Sequence, residues 1–258
     1  MIYSGEIVEG RFLSRPNRFI AFVLVEGREV KCHVKNTGRC RELLVPGCKV
    51  YLEKSSNPAR STLFDLIAVE KEREKLPPLL INMDSQAPNK AVEEWLKGGA
   101  LFPLGSEVRG EVTFHNSRFD FQIREPDGRV EYLEVKGCTL EENGIVSFPD
   151  APTERGVKHI MELIEAKSEG YGATILILIQ MKGVKKFVPN WRTHREFGLA
   201  LREAEKKGVR ILAFDSIVTP SSLTVSERVK VDLGLDQAEE QLENCVIPLH
   251  SFKKFDYL

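Results

Sequence analysis

SRFDFQIREPDGRVEYLEVKGCT, residues 117 to 139, decides the fold, because its alternation and its central turn together specify a β-hairpin. Phe119, Phe121 and Ile123 alternate with Asp120, Gln122 and Arg124, and Leu133 and Val135 alternate with Tyr132, Glu134 and Lys136. A period of two marks half-buried strands with one apolar and one polar face. Pro126-Asp127-Gly128 reads as a three-residue loop, with Pro opening a type I turn and Gly free to take the left-handed position that closes it. Such a turn pairs Glu125 with Arg129, and counting outward makes Asp120 the cross-strand neighbour of Glu134. Neighbours of this kind have Cβ atoms roughly 5 Å apart. Both carboxylates then reach one hard, oxygen-seeking cation such as Mg2+ or Mn2+. Without a cation or a shared proton they would repel and drive one pKa upward. Lys136 points the same way as Glu134, one pleat further along. The plain alternative for a D…ExK pattern taken alone is a solvated sheet face with incidental charges.

The segment before the hairpin, Glu107 to His115, joins it through Asn116-Ser117 and offers Glu107 or Glu111 as an additional ligand if the same parity holds. After the hairpin, FPDAPTERGVKHIMELIEAKSEG (148 to 170) begins with turn formers and ends on Gly170, as a capped helix does. Val157, Ile160, Met161 and Ile164 form its expected buried stripe; Arg155, His159 and Glu162 form a polar one. The apolar run Ala173 to Met181 suits a buried strand, and helix Arg195 to Lys207 and strand Val209 to Phe214 complete the region. With a further helix from Asn89 to Leu96, the order is helix, three antiparallel strands, helix, strand, helix, strand. This order resembles the restriction-endonuclease-like core, whose PD-(D/E)xK motif places its first acid on the second strand and ExK on the third. Phe119 stands where that motif often has Pro.

Ahead of this region, strand candidates run through Gly5 to Leu13, Arg18 to Val25, Glu29 to His33, Lys49 to Leu52 and Asp65 to Lys71, which suits a small barrel. Barrels of the OB type hold nucleic acid in a basic groove with stacking aromatics. The whole chain has 258 residues and a formal charge of −1, so attraction to phosphate must come from a local patch. Residues 1 to 60 provide one, with 11 Lys and Arg against 6 Asp and Glu. Arg15, Arg18, Lys31, Lys35 and Arg39 with Phe19 are candidate nucleic-acid contacts, and Asn36-Thr37-Gly38 is a polar turn whose amides can approach a phosphate. Leu76-Pro77-Pro78 reads as a stiff connector. The expected architecture is therefore mixed α/β: an OB-like β-barrel over 1–75, a restriction-endonuclease-like α/β domain over 80–233, and an acidic extension over 234–258, read as packing on the body or on a second copy in a homodimer.

Five cysteines argue against a disulfide framework, and Cys32, Cys40 and Cys48 with His33 lack the paired spacing of a zinc site. No run is long and apolar enough for a membrane span, and the start MIYSGEIVEG lacks a basic-then-apolar leader, so no membrane partner and a cytoplasmic location are expected.

Taken together, Asn36-Thr37-Gly38, Ser117-Arg118-Phe119-Asp120-Phe121, Glu134-Val135-Lys136 and the run from Phe148 to His159 resemble the sugar fermentation stimulation protein A family, over about residues 1 to 233. The resemblance implies an OB-type barrel joined to a nuclease-like domain, DNA binding, and a role in regulating sugar (maltose) metabolism. Near His194, within Trp191 to Phe197, this chain lacks an acidic residue and a proline usual in the family. On this reading Asp120, Glu134 and the Val135 carbonyl hold Mg2+ or Mn2+, Lys136 orients water and steadies phosphate charge, and Arg155, Lys158, His159 and Glu162 line the cleft. The protein is then a metal-dependent DNA phosphodiesterase or, alternatively, a DNA-binding regulator that does not cut.

Overall fold

A computed structural model describes residues 1–36, 38–74 and 76–234. Thr37 of the expected polar turn, and all of the expected 234–258 extension except Gly234, lie outside the described residues.

Five strands form the N-terminal module: β1 (Ile7–Asn17), β2 (Ile20–Val25), β3 (Arg28–Val34), β4 (Lys49–Lys54) and β5 (Phe64–Arg73). β1 pairs with β2 and β4, β2 with β3, and β4 with β5. A parallel pairing of β3 with β5 closes the ring in the OB order. The alternation seen in the sequence drives this closure, since Val23, Cys32, Val34, Val50, Leu52 and Leu66 turn inward and are almost wholly buried. The expected connector is itself a strand, β6 (Leu76–Asn82), which pairs antiparallel with β5. Proline is tolerated there because β6 is the outermost strand of its sheet, and Pro77 and Pro78 are exposed.

The second module begins with α1 (Ala87–Lys97) and the three antiparallel strands β7 (Glu107–Phe114), β8 (Ser117–Arg124) and β9 (Val130–Cys138). After the short β10 (Leu140–Glu142) and β11 (Ile145–Phe148) come α2 (Glu154–Ser168), β12 (Gly172–Ile179), β13 (Lys186–Pro189) and α3 (Arg195–Lys206). The chain then forms β14 (Arg210–Thr219), β15 (Ser222–Arg228) and β16 (Lys230–Val231). The main sheet runs β15-β14-β12-β9-β8-β7, with β9, β12 and β14 parallel; β10, β11, β13 and β16 make a separate small sheet.

The β8–β9 turn forms as its residues require. The Glu125 amide donates to the Arg129 carbonyl at 2.8 Å, and Gly128 has φ +90°. The ladder continues through Gln122↔Tyr132 to Phe121↔Leu133 and stops one step short of Asp120 and Glu134. The face expected to be polar is covered as well. Leu133, Val135, Leu176 and Leu178 pack with α1, whereas Tyr132, Ile175 and Ile177 share the core containing Ile160 and Leu163 of α2. Burial on both faces explains why β12 reads as a continuous apolar run.

Helix α2 is rotated from its expected orientation. Its buried residues are Gly156, His159, Ile160, Leu163 and Ala166, while Met161 is 49% exposed. The rotation brings the His159 ring onto Glu134. The two modules also share a core: Tyr51, Ile67 and Ala68 of the ring belong to the same apolar cluster as α1, Leu133 and Val135. Lys71 of β5 binds the buried Glu141 of β10, with Nζ 2.7 Å from Oε2. Among the described residues, no helix is long and apolar enough to cross a membrane.

Candidate active site at the ends of β8 and β9

Asp120 lies where the β8–β9 ladder gives out, and its carboxylate replaces the missing pairing. Oδ2 accepts the Val135 amide at 2.7 Å, and Oδ1 accepts Asn89 Nδ2 from α1 at 2.7 Å. Burial, and next the negative charge of Glu134, push the Asp120 pKa up to about 6, against the pull of these hydrogen bonds and of Lys136. Glu134 is only 3% exposed. Its Oε1 accepts Lys136 Nζ at 2.6 Å and is hydrogen-bonded to His159 Nδ1. Burial raises the Glu134 pKa, but His159 and Lys136 outweigh it and hold the group below the usual carboxylate range.

Glu134 Oε2 is buried with no hydrogen-bond partner among the described residues. An ionised carboxylate oxygen withdrawn from water and left unpaired is costly, and the neighbouring Asp120 is under like-charge pressure from it. A hard cation satisfies both conditions, so the donor set fits a hard, oxygen-seeking divalent ion. Two carboxylates alone would leave such an ion short of ligands, and the Val135 carbonyl would be the backbone group at hand to add one.

The expected cleft residues divide. Arg155 Nε donates to His159 Nε2 at 3.3 Å; since guanidinium only donates, His159 carries its proton on Nδ1 and donates it to Glu134. His159 is buried behind Glu134 rather than lining an open cleft. Glu162 accepts the Ser117 hydroxyl at the start of β8 and lies 3.7 Å from Lys158, and its Oε2 is another buried oxygen without a partner among the described residues. Glu107 and Glu111 point elsewhere. Glu107 pairs with Arg109 at 2.9 Å, and Glu111, in a left-handed residue at φ +57°, pairs with Arg118 at 2.7 Å; both carboxylates are well exposed. Asn89 was not legible as a site residue, since a lone Asn in the first turn of a helix carries no pattern. A different acidic group, His115, Glu165 and Glu169, places three ligand atoms within 4.8 Å of one another on the surface.

In the OB ring, several expected nucleic-acid contacts are engaged with protein. Arg15 donates to the carbonyls of Arg39, Arg18 and Asn36 at 2.7–2.8 Å. Lys35 lies 3.3–3.6 Å from carboxylates of Glu53, Asp65 and Asp84. Asn36 donates to the Met83 carbonyl and accepts the Gly38 amide. Gly38 itself abuts Asp150, where a Cβ would overlap Oδ2, so this turn meets a carboxylate rather than opening toward phosphate. Arg18, Lys31 and Arg39 remain exposed, with Phe19 51% exposed nearby in sequence.

Residues 13–76 match the SfsA N-terminal OB domain, and residues 86–222 match the sugar fermentation stimulation protein RE domain. A sugar fermentation stimulation protein homolog from Ruminiclostridium cellulolyticum is 52% identical over 227 residues, covering 88% of this chain and 98% of that protein. A homolog of the same description from Desulfitobacterium hafniense is 53% identical over 227 residues, covering 88% and 96%. The structure of Pyrococcus furiosus SfsA in complex with Ca2+ superposes with a TM-score of 0.77 at 26% identity, covering 90% of this chain and 98% of that one. Both modules are matched in order and nearly the full length of the relatives is spanned, so the chain belongs to the sugar fermentation stimulation protein family.

Proposed function

We propose that this protein binds DNA and hydrolyses its phosphodiester bonds with a divalent cation, Mg2+ or Mn2+, held by Asp120, Glu134 and the Val135 carbonyl. The observation that carries this reading is Glu134 Oε2, a buried carboxylate oxygen without a partner among the described residues, beside a second carboxylate whose pKa is raised. A surface built only to grip phosphate gains nothing from paired acids. When bound, the cation supplies Lewis-acid polarisation of a phosphoryl oxygen and a more acidic water. Asn89 and the Val135 amide fix the Asp120 carboxylate. Arg155 holds His159, and His159 holds Glu134. Lys136, now on Glu134 Oε1, is placed to orient water and to offset charge growing on the phosphate. Arg18, Phe19, Lys31 and Arg39 supply salt-sensitive backbone contacts and stacking from the ring. A link to sugar metabolism then follows from which DNA is engaged.

One observation favours binding without cutting. Glu134 Oε1 is already compensated by Lys136 and His159, so half of the acid pair is neutralised by protein. Plasmid nicking in Mg2+ or Mn2+, compared between wild type and Asp120→Ala, separates the readings. Cleavage is expected from wild type and lost by at least a hundredfold in the variant, while DNA retention on a gel persists. Retention without cleavage in either cation would leave the non-cutting regulator.

A further inference from the structure

Where the OB ring meets the nuclease-like module, a cavity of about 170 Å3 is lined by Asn36, Gly38, Ser85, Gly137, Asp150 and Gln180, with Thr139 and Ser147 among its other walls. It adjoins the candidate active site. Gly137 directly follows Lys136, and Pro88, which a Cβ at Gly137 would strike, is next to Asn89, the partner of Asp120.

The chemistry of the cavity leans toward acceptors. Gln180 is 2% exposed, and its Nε2 donates toward the Asn82 carbonyl, Asn82 Oδ1 and the Asp84 carbonyl at 3.0–3.1 Å. That trio fixes the amide, so Oε1 is the atom turned toward Gly137, and it accepts no hydrogen bond among the described residues. The Asp150 carboxylate likewise makes no hydrogen bond or ion pair among the described residues. Two acceptors that receive no hydrogen bond among the described residues thus line one cavity, and one is a carboxylate; the Thr139 and Ser147 hydroxyls that share its walls can donate or accept. Phosphate is repelled from such a place; a neutral group bearing N–H donors is attracted. The volume falls below the few hundred Å3 of ordinary ligand pockets, which leaves room for one base and excludes a base pair.

We propose that this inter-module cavity receives a single unpaired, amino-bearing base, so that the favoured substrate is DNA with an unpaired nucleotide beside the scissile phosphate rather than continuous duplex. The proposal rests on the phosphodiester reading for the position of the phosphate, but its test needs no cleavage. A base stacked in duplex already spends its amino group on pairing, whereas an unpaired adenine or cytosine brings free donors to Gln180 and Asp150. Thymine offers only one ring N–H, and an abasic nucleotide offers none.

The test is fluorescence anisotropy in EDTA with the full chain and four labelled duplexes: fully paired, or carrying one unpaired adenine, one unpaired thymine or one abasic nucleotide. The unpaired-adenine duplex should bind about tenfold more tightly than the paired one, with thymine between and the abasic duplex near the paired. Asp150→Asn, which keeps the shape of the side chain, and Ser147→Val, which narrows the cavity from the opposite wall, should each reduce the adenine preference to under twofold; thermal melts show whether both are folded. Equal binding to all four duplexes overturns the proposal, as does a preference untouched in both folded variants. Maltose binding by calorimetry that is lost in the same variants also overturns it, by giving the cavity to a sugar. Preference without cleavage would sink the phosphodiesterase reading alone, and cleavage without preference would sink this one alone.

Discussion

Asp120 is held ionised against its environment, and that has a measurable sign. Its pKa rises from the ordinary 3.8 to about 6 on folding, so the native state binds a proton more tightly than the unfolded chain and stability declines as pH rises between those values. Asp120→Asn removes the charge and should raise stability above pH 6 by about 2 kcal/mol after a discount for partial exposure. The gain should fade as pH falls toward 4. Urea melts across pH 4–8 check this, and an Asn variant less stable than wild type at pH 7.5 would contradict it. Glu134 has the opposite sign. Its pKa is depressed despite burial, so its contribution is present above the ordinary 4.5 and is lost as pH drops through the lower folded value. Single residues were unevenly legible in the sequence. The acid pair and Lys136 stand out because chemistry-bearing side chains recur on alternate positions. Arg15 and Lys35 read only as positive charge; that they spend it on loop carbonyls and on three carboxylates follows from chain pieces that meet only after folding.

At the scale of elements, the hairpin was readable because its turn is local: Pro126, Asp127 and Gly128 set the register from Arg124↔Val130 to Phe121↔Leu133. The orientation of α2 was not. Hydrophobicity alone puts Met161 inside, yet the buried His159–Glu134 hydrogen bond and packing around Ile160 and Leu163 turn His159 inward instead. The polar residue wins its place because Glu134 needs a donor. His159→Ala should therefore destabilise the protein by about 2–3 kcal/mol, through the loss of a buried hydrogen-bond donor to a carboxylate. Much of that cost should be recovered when Glu134→Gln is added, a coupling that a double-mutant cycle of chemical melts measures directly. The start of α2 rests on Thr153, whose hydroxyl accepts the Gly156 amide at 3.0 Å. Thr153→Ala should cost about 1 kcal/mol in the same melts. The small sheet of β10, β11, β13 and β16 escaped the sequence because its strands have two to four residues, too few for any period to show.

For the whole molecule, the order of elements announced an OB ring followed by a nuclease-like core, but their joining was hidden. Tyr51, Ile67 and Ala68 look like ordinary ring residues in sequence and turn out to pack with α1 and β9. Lys71 to Glu141 is the polar counterpart of that seam. Burial would raise the Glu141 pKa, but Lys71 and the Gly144 amide hold it below 4.5, so the contact stabilises at neutral pH and weakens as acid protonates Glu141. Lys71→Met should lower stability by about 2–3 kcal/mol at pH 7 and by much less near pH 3. Differential scanning calorimetry reads both; a loss independent of pH would remove the ion pair as its cause. The proline doublet of β6 carries a different lesson. A foreign strand seeking to dock along that rim meets a position with no amide hydrogen to give, so the ring is blunted against runaway stacking between molecules at high concentration. Threonine at both places would restore the missing rim donor and turn a closed border into adhesive.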